Sequence, residues 1–260
     1  MTKLVVVGGG KMGEALVGGL LAGGWTTAEQ ITVVEPDAAR RAQLATSFPG
    51  LAVGVEPVAA SGAVIAVKPG KVAEVAAQLG ALAIPRVLSI AAGVRLETIE
   101  AQVPVDTAVV RAMPNTPALV GQGAAAIAAG HGAGDDDLVW AEGILGAVGT
   151  VVRVTEDQLD AVTGLSGSGP AYVFLVVEAL VDAGVLVGLP RDTAADLVVQ
   201  TLRGAAELLA AGTPAAELRA AVTSPGGTTA AGLRALEAGA VRAAFADAVV
   251  AATARSRELG

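Results

Sequence analysis

The sequence contains no cysteine and only one histidine, and its aromatic side chains are limited to two Trp, one Tyr and three Phe. A thiol nucleophile, a thiolate metal site and a pair of histidine ligands are therefore excluded, and we expect no metal. Hydrophobic residues nevertheless make up 53% of the 260 positions, and 34 residues are glycine. The core must be built from Ala, Val, Leu and Gly, which favours closely packed helices and tight backbone turns.

Positive charge is also scarce, because 17 Lys and Arg residues face 25 Asp and Glu, which gives a net charge of −8. A nucleic-acid partner is therefore not expected. The most apolar region, 161–189, is interrupted near its start by Gly and Pro and carries Glu178 and Asp182, so we expect no membrane span. The N-terminal apolar run is too short for a signal peptide, and the lack of cysteine agrees with a cytoplasmic protein.

The first half of the sequence alternates short β-branched runs with helical stretches. This alternation predicts a parallel sheet with crossover helices, as in a Rossmann-type α/β domain. Helices should begin after Gly10, Asp37, Lys71 and Arg95, and another near Asp135. The aspartates at 135–137 fit either a cation site or a negatively charged helix start, and we favour the helix start. The predicted strands are 4–7, 31–35, 63–67, 87–90, 107–111, 124–128 and 150–154.

The strand pattern stops at Glu156, and the remaining residues are predicted to be helical, with breaks near 164–170, 190, 212–214 and 224–227. We therefore predict a dinucleotide-binding Rossmann domain over residues 1–155. An all-α domain for substrate binding and dimerisation should follow over residues 156–260. Its Ala-rich helices are not expected to be stable alone, so a dimer or an intertwined bundle would bury them.

A glycine-rich segment directly follows the first predicted strand and opens the first helix. It fits the G-x-G-x-x-G pattern, which is informative in this strand–turn–helix context. Gly8 permits the tight turn, Gly10 lets the backbone approach a pyrophosphate, and Gly13 permits close packing of the helix on the strand. Amides at the helix start would face the phosphates. The segment consists of Gly8, Gly9, Gly10, Lys11, Met12 and Gly13.

The second predicted strand ends in Glu35, which bears on the choice of cofactor. A carboxylate at this position accepts hydrogen bonds from the ribose hydroxyls of NAD and repels the 2′-phosphate of NADP. Arg40 and Arg41 follow closely and could offset this repulsion. The residue therefore favours NADH, and the preference between NADH and NADPH stays open.

Two further segments follow predicted strands, at the carboxyl edge where ligands bind in such sheets. The first consists of Ala66, Val67, Lys68 and Pro69, although Lys68 also fits a solvated cation at a strand end. The second contains Asn115 between two prolines. Asn115 could hydrogen-bond to the ribose or the carboxamide of the cofactor, or it could only hold the turn.

The lack of a suitably placed histidine or lysine limits the kinds of reaction that this protein can catalyse. Dehydrogenases that act on alcohols often use a histidine, but His131 lies in a polar turn and is expected to be a surface residue. The hydroxyacid dehydrogenases with this layout use a lysine of the second domain, whereas no lysine follows Lys71 here. A protonated imine is already electrophilic and needs little help from a proton donor, so an imine substrate suits this sequence.

The segment Ser-Pro-Gly-Gly-Thr-Thr at 224–229 could bind the acid group of such a substrate. It supplies glycine amides and threonine hydroxyls at a helix start, which suits an anion. An ordinary helix–helix turn with threonine capping is the alternative interpretation.

Longer motifs resemble those of the pyrroline-5-carboxylate reductase family along nearly the whole chain. The strongest is Asp-Ala-Val-Thr-Gly-Leu-Ser-Gly-Ser-Gly-Pro-Ala-Tyr at 160–172, followed by 224–229, 66–69 and 255–259. The resemblance implies reduction of 1-pyrroline-5-carboxylate to L-proline by NAD(P)H, the last step of proline biosynthesis. It also implies a helical domain that interlocks with a second subunit in a homodimer, with higher homo-oligomers in some members.

The resemblance implies roles for residues that would touch the substrate. Thr229 would hydrogen-bond to the ring nitrogen and is the expected catalytic residue. The amides of Gly227 and Thr228, together with Ser224, would hold the carboxylate. Glu156 matches an acidic residue that can approach the substrate in some members.

For the cofactor, the resemblance implies that 66–69 and the segment Ala91, Ala92 and Gly93 line the site. The family commonly prefers NADPH, whereas Glu35 replaces the small or polar residue often found near the 2′-phosphate. Two other functions are kept as alternatives. One is another imine- or deazaflavin-linked NAD(P) reductase of the same fold, and the other is a non-catalytic dinucleotide-binding protein.

Overall fold

The computed structural model describes residues 2–259, so residues 1 and 260 of the predicted domains lie outside the described range. The chain divides into two compact units. The first extends to Ser168 and also includes the residues from Val250 onward, whereas the second is Gly169–Val249. The predicted boundary between residues 155 and 156 falls inside the first unit, and it stays a prediction.

The first unit is built on one eight-stranded sheet. Its strands are β1 (Leu4–Val7), β2 (Ile31–Val34), β3 (Ala52–Gly54), β4 (Ala63–Ile65), β5 (Arg86–Ser89), β6 (Ala108–Met113), β7 (Gly123–Ala129) and β8 (Gly149–Arg153). Their order in the sheet is β3-β2-β1-β4-β5-β6-β7-β8. The first six strands are parallel, in the order of a dinucleotide-binding sheet, which confirms the predicted Rossmann-type fold.

Two features of this sheet differ from the prediction. β3 was not predicted, because 3 residues are too few to show a strand period. β7 runs antiparallel to β6, since the short connection between them contains no crossover helix, and β8 is parallel to β7. The sheet is therefore mostly, but not wholly, parallel.

Helices cover both faces of the sheet. They are α1 (Lys11–Ala22), α2 (Ala38–Ser47), α3 (Val72–Ala81), α4 (Leu96–Glu100), α5 (Asp135–Leu145) and α6 (Leu159–Val162). The first five begin where the sequence predicted them. Side chains of β1 alternate between two cores: Leu4 and Val6 share one with Leu16, and Val5 shares the other with Val72. Both faces are buried, as is usual for a parallel sheet.

The second unit consists of helices with almost no core of their own. They are α7 (Gly169–Leu186), α8 (Arg191–Ala210), α9 (Ala215–Ala221), α10 (Thr228–Ala238) and α11 (Val241–Leu259), the last of which contributes residues to both units. Within 169–249, Val181 and Ala194 are the only buried hydrophobic residues, whereas Phe174 is 62% exposed and Leu186 is 86% exposed. The second unit therefore has large exposed apolar faces, which indicate a surface for contact with another protein chain.

By length and composition alone, the helical stretch Glu156–Leu186 could cross a membrane, with a mean hydropathy of 1.7. The expectation that the chain has no membrane span stays a prediction. The glycines near its start do not end this helical stretch, because a π turn, Thr163–Gly167, directly follows α6. Only 6% of its most apolar window is buried. A long apolar helix is also what the interface of a permanent homodimer contains, so this finding does not by itself indicate a membrane.

Candidate active site

The carboxyl ends of β1 and β4 form the point where the strand order reverses, since β1 pairs with both β2 and β4. Nucleotides bind at such a switch point in open α/β sheets. Gly8 follows β1 with φ +112°, a backbone conformation that favours glycine. A Cβ on Gly8 would overlap the carbonyl oxygen of Ala66, which follows β4. The glycine-rich turn and the segment 66–69 therefore meet at this edge of the sheet.

The rest of the glycine-rich turn leaves space where a dinucleotide needs it. No atom lies within 4 Å of a Cβ placed on Gly10, the exposed residue that precedes α1. A Cβ on buried Gly13, in contrast, would overlap the carbonyl oxygen of Gly8, so α1 packs directly against the turn. The first amide bonded within α1 is that of Glu14, which donates to the Gly10 carbonyl at 2.9 Å. The preceding helix amides can therefore bind a pyrophosphate, which fits the predicted cofactor.

The two glycines give a matched prediction. Gly10→Ala should lower the free energy of unfolding by less than about 1 kcal/mol, because the methyl group meets open space and only the helix cap is weakened. Its Kd for NADH should nevertheless rise about 10-fold, since the methyl group keeps the phosphates away from the backbone. Gly13→Ala should destabilise the fold by about 3 kcal/mol, because its methyl group meets backbone. Thermal unfolding and fluorescence titration with NADH measure both effects, and equal loss of stability in the two variants would contradict this prediction.

Glu35 follows β2 at the same edge, and both of its carboxylate oxygens accept hydrogen bonds from the backbone. Oε2 accepts from the amide of Gly9 and Oε1 from the amide of Asp37, each at 3.0 Å. The negative charge is thus held beside the glycine-rich turn, where the ribose binds in a Rossmann domain. Each oxygen has a further lone pair for a ribose hydroxyl.

The two arginines that could offset this charge are engaged by other groups. Arg40 donates through Nε to the carbonyl oxygen of Gly9 at 2.7 Å, and it pairs with Glu14 at 2.6 Å. Arg41 donates through Nη1 to the carbonyl oxygen of Glu35 at 2.8 Å. Arg40 is therefore paired with a carboxylate, whereas Arg41 binds only carbonyl oxygens and keeps its positive charge and further donors. The preference for NADH stays a prediction, which the pairing of Arg40 favours.

Two cavities of the first unit lie along this edge of the sheet. One, of about 300 Å³, has a lining that is mostly apolar but includes Lys71, Glu74 and Gln78, and this mixture suits an adenosine group. Lys68 is exposed, and no ion pair involves it within the described residues 2–259. It therefore remains a candidate for contact with the cofactor.

The second cavity, of about 330 Å³, is lined in part by three residues predicted to lie along the cofactor, Pro69, Ala92 and Gly93. Ala91 itself is buried beside them. Residues that the sequence analysis did not assign complete the lining: Thr163, Ser168, Ala252, Arg255, Ser256 and Leu259. They belong to, or adjoin, the motifs 160–172 and 255–259, so the resemblance was a signal that could have found them.

Asn115 follows β6, and its side chain has two partners in the protein. Oδ1 accepts a hydrogen bond from the amide of Ala124 at 2.8 Å, and Nδ2 donates to the carbonyl oxygen of Ser166 at 3.0 Å. These contacts support the interpretation that Asn115 holds its turn. A direct contact with the cofactor stays a prediction.

Glu156 also has partners within the protein. Its Oε1 accepts hydrogen bonds from the amide of Leu96 at 2.7 Å and from Nη1 of Arg111 at 2.9 Å. Arg111 lies on β6 and is only 6% exposed, so this ion pair is largely shielded from water. The sequence analysis missed Arg111, because nothing in a buried strand marks one arginine as the partner of a distant carboxylate. The predicted contact between Glu156 and the substrate stays a prediction.

We expect Glu156→Gln to lower the free energy of unfolding by about 2 kcal/mol, because a nearly buried Arg111 then lacks an opposite charge. Glu97→Gln is the matched control, since Glu97 is exposed in the first turn of α4, and it should change stability by less than about 0.5 kcal/mol. Urea denaturation measures both values. Equal stability of the two variants would show that the Arg111 pair contributes nothing.

The start of α10 in the second unit has the backbone geometry of an anion site. Gly226 has φ +69°, and a Cβ on Gly227 would overlap the hydroxyl oxygen of Ser224. Gly227 precedes the helix, and its own amide donates to the carbonyl oxygen of Ser224 at 3.1 Å. In this structure the Gly227 amide is therefore engaged, and its predicted role in binding the substrate would require it to change partner.

The next residues supply the available donors. The first amide bonded to this turn from within α10 is that of Ala231, which donates to the carbonyl oxygen of Gly227 at 3.2 Å. The amides of Thr228 and Thr229 precede it and have no acceptor in the helix. Within residues 2–259, neither threonine hydroxyl has a hydrogen-bond partner. Two amides and two free hydroxyls at a helix start suit a carboxylate and an adjacent polar group.

Two further sequence candidates are surface groups. The His131 side chain is 98% exposed and lies 3.1 Å from Glu100, as expected of a surface residue. Asp135 begins α5, and Asp137 accepts a hydrogen bond from the amide of Gly134 at 2.9 Å. This contact confirms that the aspartates form a helix start.

Comparisons with known families match both halves of the chain. A family model described as pyrroline-5-carboxylate reductase dimerisation matches residues 156–259. A second model, described as NADP oxidoreductase, coenzyme F420-dependent, matches residues 3–93. The first match covers the helical residues, and the second covers the glycine-rich turn and Glu35.

Individual relatives match over the full length. The pyrroline-5-carboxylate reductase of Synechocystis sp. is 47% identical over 99% of this chain and 98% of its own, and that of Mycobacterium tuberculosis is 42% identical over 100% and 97%. The solved pyrroline-5-carboxylate reductase of Coxiella burnetii has a TM-score of 0.94 at 36% identity, covering 100% of this chain and 98% of its own. The Plasmodium falciparum pyrroline carboxylate reductase, solved with NADP bound, has a TM-score of 0.85 at 30% identity, with the same coverage. The chain therefore belongs to the pyrroline-5-carboxylate reductase family, and it is an NAD(P)-dependent oxidoreductase.

Proposed function

We propose that this chain reduces 1-pyrroline-5-carboxylate to L-proline, with NAD(P)H as the hydride donor. The start of α10 is the observation that carries this proposal. Its free amides and the unpartnered Thr229 hydroxyl offer one site for a carboxylate and one for a ring nitrogen. A five-membered cyclic imine with a carboxylate on the ring presents both groups close together, which matches this arrangement.

The residues of α10 bind and orient the substrate. The amides of Thr228 and Thr229 hold the carboxylate, with Ser224 beside them, and the hydroxyl of Thr229 hydrogen-bonds to the ring nitrogen. The imine enters with its nitrogen protonated. Thr229 therefore orients the ring and has no proton to transfer in this step.

Residues at the edge of the sheet hold the cofactor. The amides at the start of α1 bind the pyrophosphate, Glu35 accepts from the ribose hydroxyls, and the segments 66–69 and 91–93 line the site. When bound, NAD(P)H supplies the hydride that adds to the imine carbon, and the electron pair of the C=N bond returns to nitrogen. The local charges around Glu35 favour NADH over NADPH.

The protein forms a homo-oligomer, and we place a homodimer at the helices that follow residue 156, with a higher oligomer as an extension of it. The dimerisation model covers these helices, and the second unit has only two buried hydrophobic residues of its own. A second copy supplies apolar helices of the right kind to cover them. We place the enzyme in the cytoplasm, without nucleic-acid or membrane partners.

Steady-state kinetics of the full chain test this function. With pyrroline-5-carboxylate, we expect NAD(P)H to be consumed in a one-to-one ratio with L-proline formed, measured by nicotinamide absorbance and by chromatography of the product. Cofactor binding without turnover would overturn the proposal and indicate a non-catalytic dinucleotide-binding protein.

The match to a coenzyme F420-dependent family over residues 3–93 favours a second candidate, a deazaflavin-linked NADP reductase. That match stops before the helical residues, whereas the dimerisation match begins at 156. We therefore expect no transfer of hydride between NADP and coenzyme F420. Turnover with coenzyme F420 and none with pyrroline-5-carboxylate would support the second candidate instead.

A further inference from the structure

We propose that Asn115 is a positioning residue for the reaction, and that it acts by holding the π turn Thr163–Gly167 against the end of β6. This inference rests on the proposed function, because it concerns a cavity lined by residues assigned to the cofactor and its test measures turnover of pyrroline-5-carboxylate. In this proposal Asn115 does not bind the cofactor directly but fixes the position of the π turn.

The π turn has a carbonyl group that the helix cannot fully satisfy. In a regular α-helix the carbonyl oxygen of Ser166 would accept from the amide four residues later, but that residue is Pro170, which has no N–H. The side-chain Nδ2 of Asn115 donates to this oxygen at 3.0 Å and takes the place of the missing amide. A π turn is often found at a functional site, where it redirects neighbouring side chains.

Asn115 is itself fixed in position, so it can act as an anchor. Its Oδ1 accepts from the amide of Ala124 on β7 at 2.8 Å, which ties the side chain to the sheet. The π turn also packs closely against β6. A Cβ placed on Gly167 would lie 2.6 Å from Cε of Met113, the last residue of that strand. The π turn is therefore seated directly on the end of the sheet.

The π turn places two polar residues along the cavity that Pro69 and Gly93 also line. Thr163 begins the turn and Ser168 follows it, and both line this cavity. The hydroxyl of Thr163 donates to the carbonyl oxygen of Leu159 at 2.9 Å, which leaves it little freedom. The hydroxyl of Ser168 has no hydrogen-bond partner in the described part of the chain. Ser168 is therefore the group whose position Asn115 controls through the turn.

Asn115→Asp separates the two hydrogen bonds of Asn115. The carboxylate still accepts from the amide of Ala124, but it opposes the carbonyl oxygen of Ser166 instead of donating to it. We expect kcat with pyrroline-5-carboxylate to fall about 10-fold, because a small displacement of a positioned group is enough for such a loss. The Kd for NADH, measured by fluorescence titration, should change by less than about 2-fold. Thr116→Ala is the control, since Thr116 is an exposed neighbour in the same loop, and it should retain full activity.

A double-mutant cycle tests whether Asn115 acts through Ser168. Ser168→Ala alone should lower kcat, and adding Asn115→Asp should then lower it by less than about 2-fold more, because the positioned hydroxyl is already gone. Thermal unfolding of each variant is measured in parallel. If Asn115 only stabilised the fold, Asn115→Asp would lower the melting temperature. The losses in kcat caused by Asn115→Asp and Ser168→Ala would then be independent of each other in the double variant.

The outcomes separate the competing roles. A rise of about 10-fold in the Kd for NADH with an unchanged kcat would make Asn115 a cofactor ligand and overturn the proposal. Independent losses in the cycle, or full activity of Asn115→Asp, would overturn it as well. If the unmodified enzyme fails to reduce pyrroline-5-carboxylate, the proposed function fails first. The two failures are thus distinguishable.

Discussion

Thr229→Ala is expected to lower kcat for pyrroline-5-carboxylate about 100-fold, the usual scale for the loss of one oriented catalytic hydrogen bond. The hydroxyl of Thr229 has no partner within residues 2–259, so its removal breaks no bond of the folded chain. The melting temperature should therefore stay close to that of the unmodified enzyme. The ring nitrogen would then lack the group that orients it while the carboxylate stays bound.

Thr229→Ser is the matched variant, because it keeps the hydroxyl and removes only a methyl group. It should retain most of the activity, whereas Thr229→Ala should not. Steady-state kinetics at saturating NADH measure both. An unchanged kcat in Thr229→Ala would contradict the catalytic role of Thr229. Equal losses of kcat in the two variants would indicate that packing of the methyl group matters instead of the hydroxyl.

Glu35→Ser is expected to raise the ratio of kcat/KM for NADPH to that for NADH about 100-fold. Two effects add in the same direction. NADH loses hydrogen bonds from its ribose to a charged acceptor, each of which is worth about 1.5–3 kcal/mol. NADPH no longer meets a carboxylate beside its 2′-phosphate, and Arg41, which now binds the Glu35 carbonyl at 2.8 Å, lies close enough to turn toward the phosphate.

Two control variants separate charge from hydrogen bonding at this site. Glu35→Gln removes the charge but keeps an acceptor for the amide of Gly9, so the ratio should rise only about 10-fold. Asp106→Asn removes an exposed charge that precedes β6, at the opposite edge of the parallel strands, and it should leave the ratio unchanged because a distant exposed charge is screened. If the unmodified enzyme already prefers NADPH strongly, the interpretation of Glu35 is wrong.

Some residues of this site could be predicted from the sequence, whereas the partners of others could not. The glycine-rich turn, Glu35 and the segment 66–69 each follow a strand, and the edge of a parallel sheet brings such segments together whatever the details of packing. Asn115 was ambiguous, because its two partners, Ala124 and Ser166, lie in segments whose positions depend on the whole fold. Glu156 shows the same limit, since its partner Arg111 is 45 residues away in the sequence.

The sequence by itself determined where the helices begin and which part of the chain forms the sheet. Five helices begin where they were predicted, at Lys11, Ala38, Val72, Leu96 and Asp135. Their starts are predictable because capping residues, glycine and proline influence only the residues next to them in the sequence. Only the tertiary structure decided the antiparallel direction of β7, the short strand β3 and the π turn that Asn115 holds. Those features depend on which strand edges and carbonyl groups become neighbours after folding, and no local pattern of residues specifies partners so far apart in the chain.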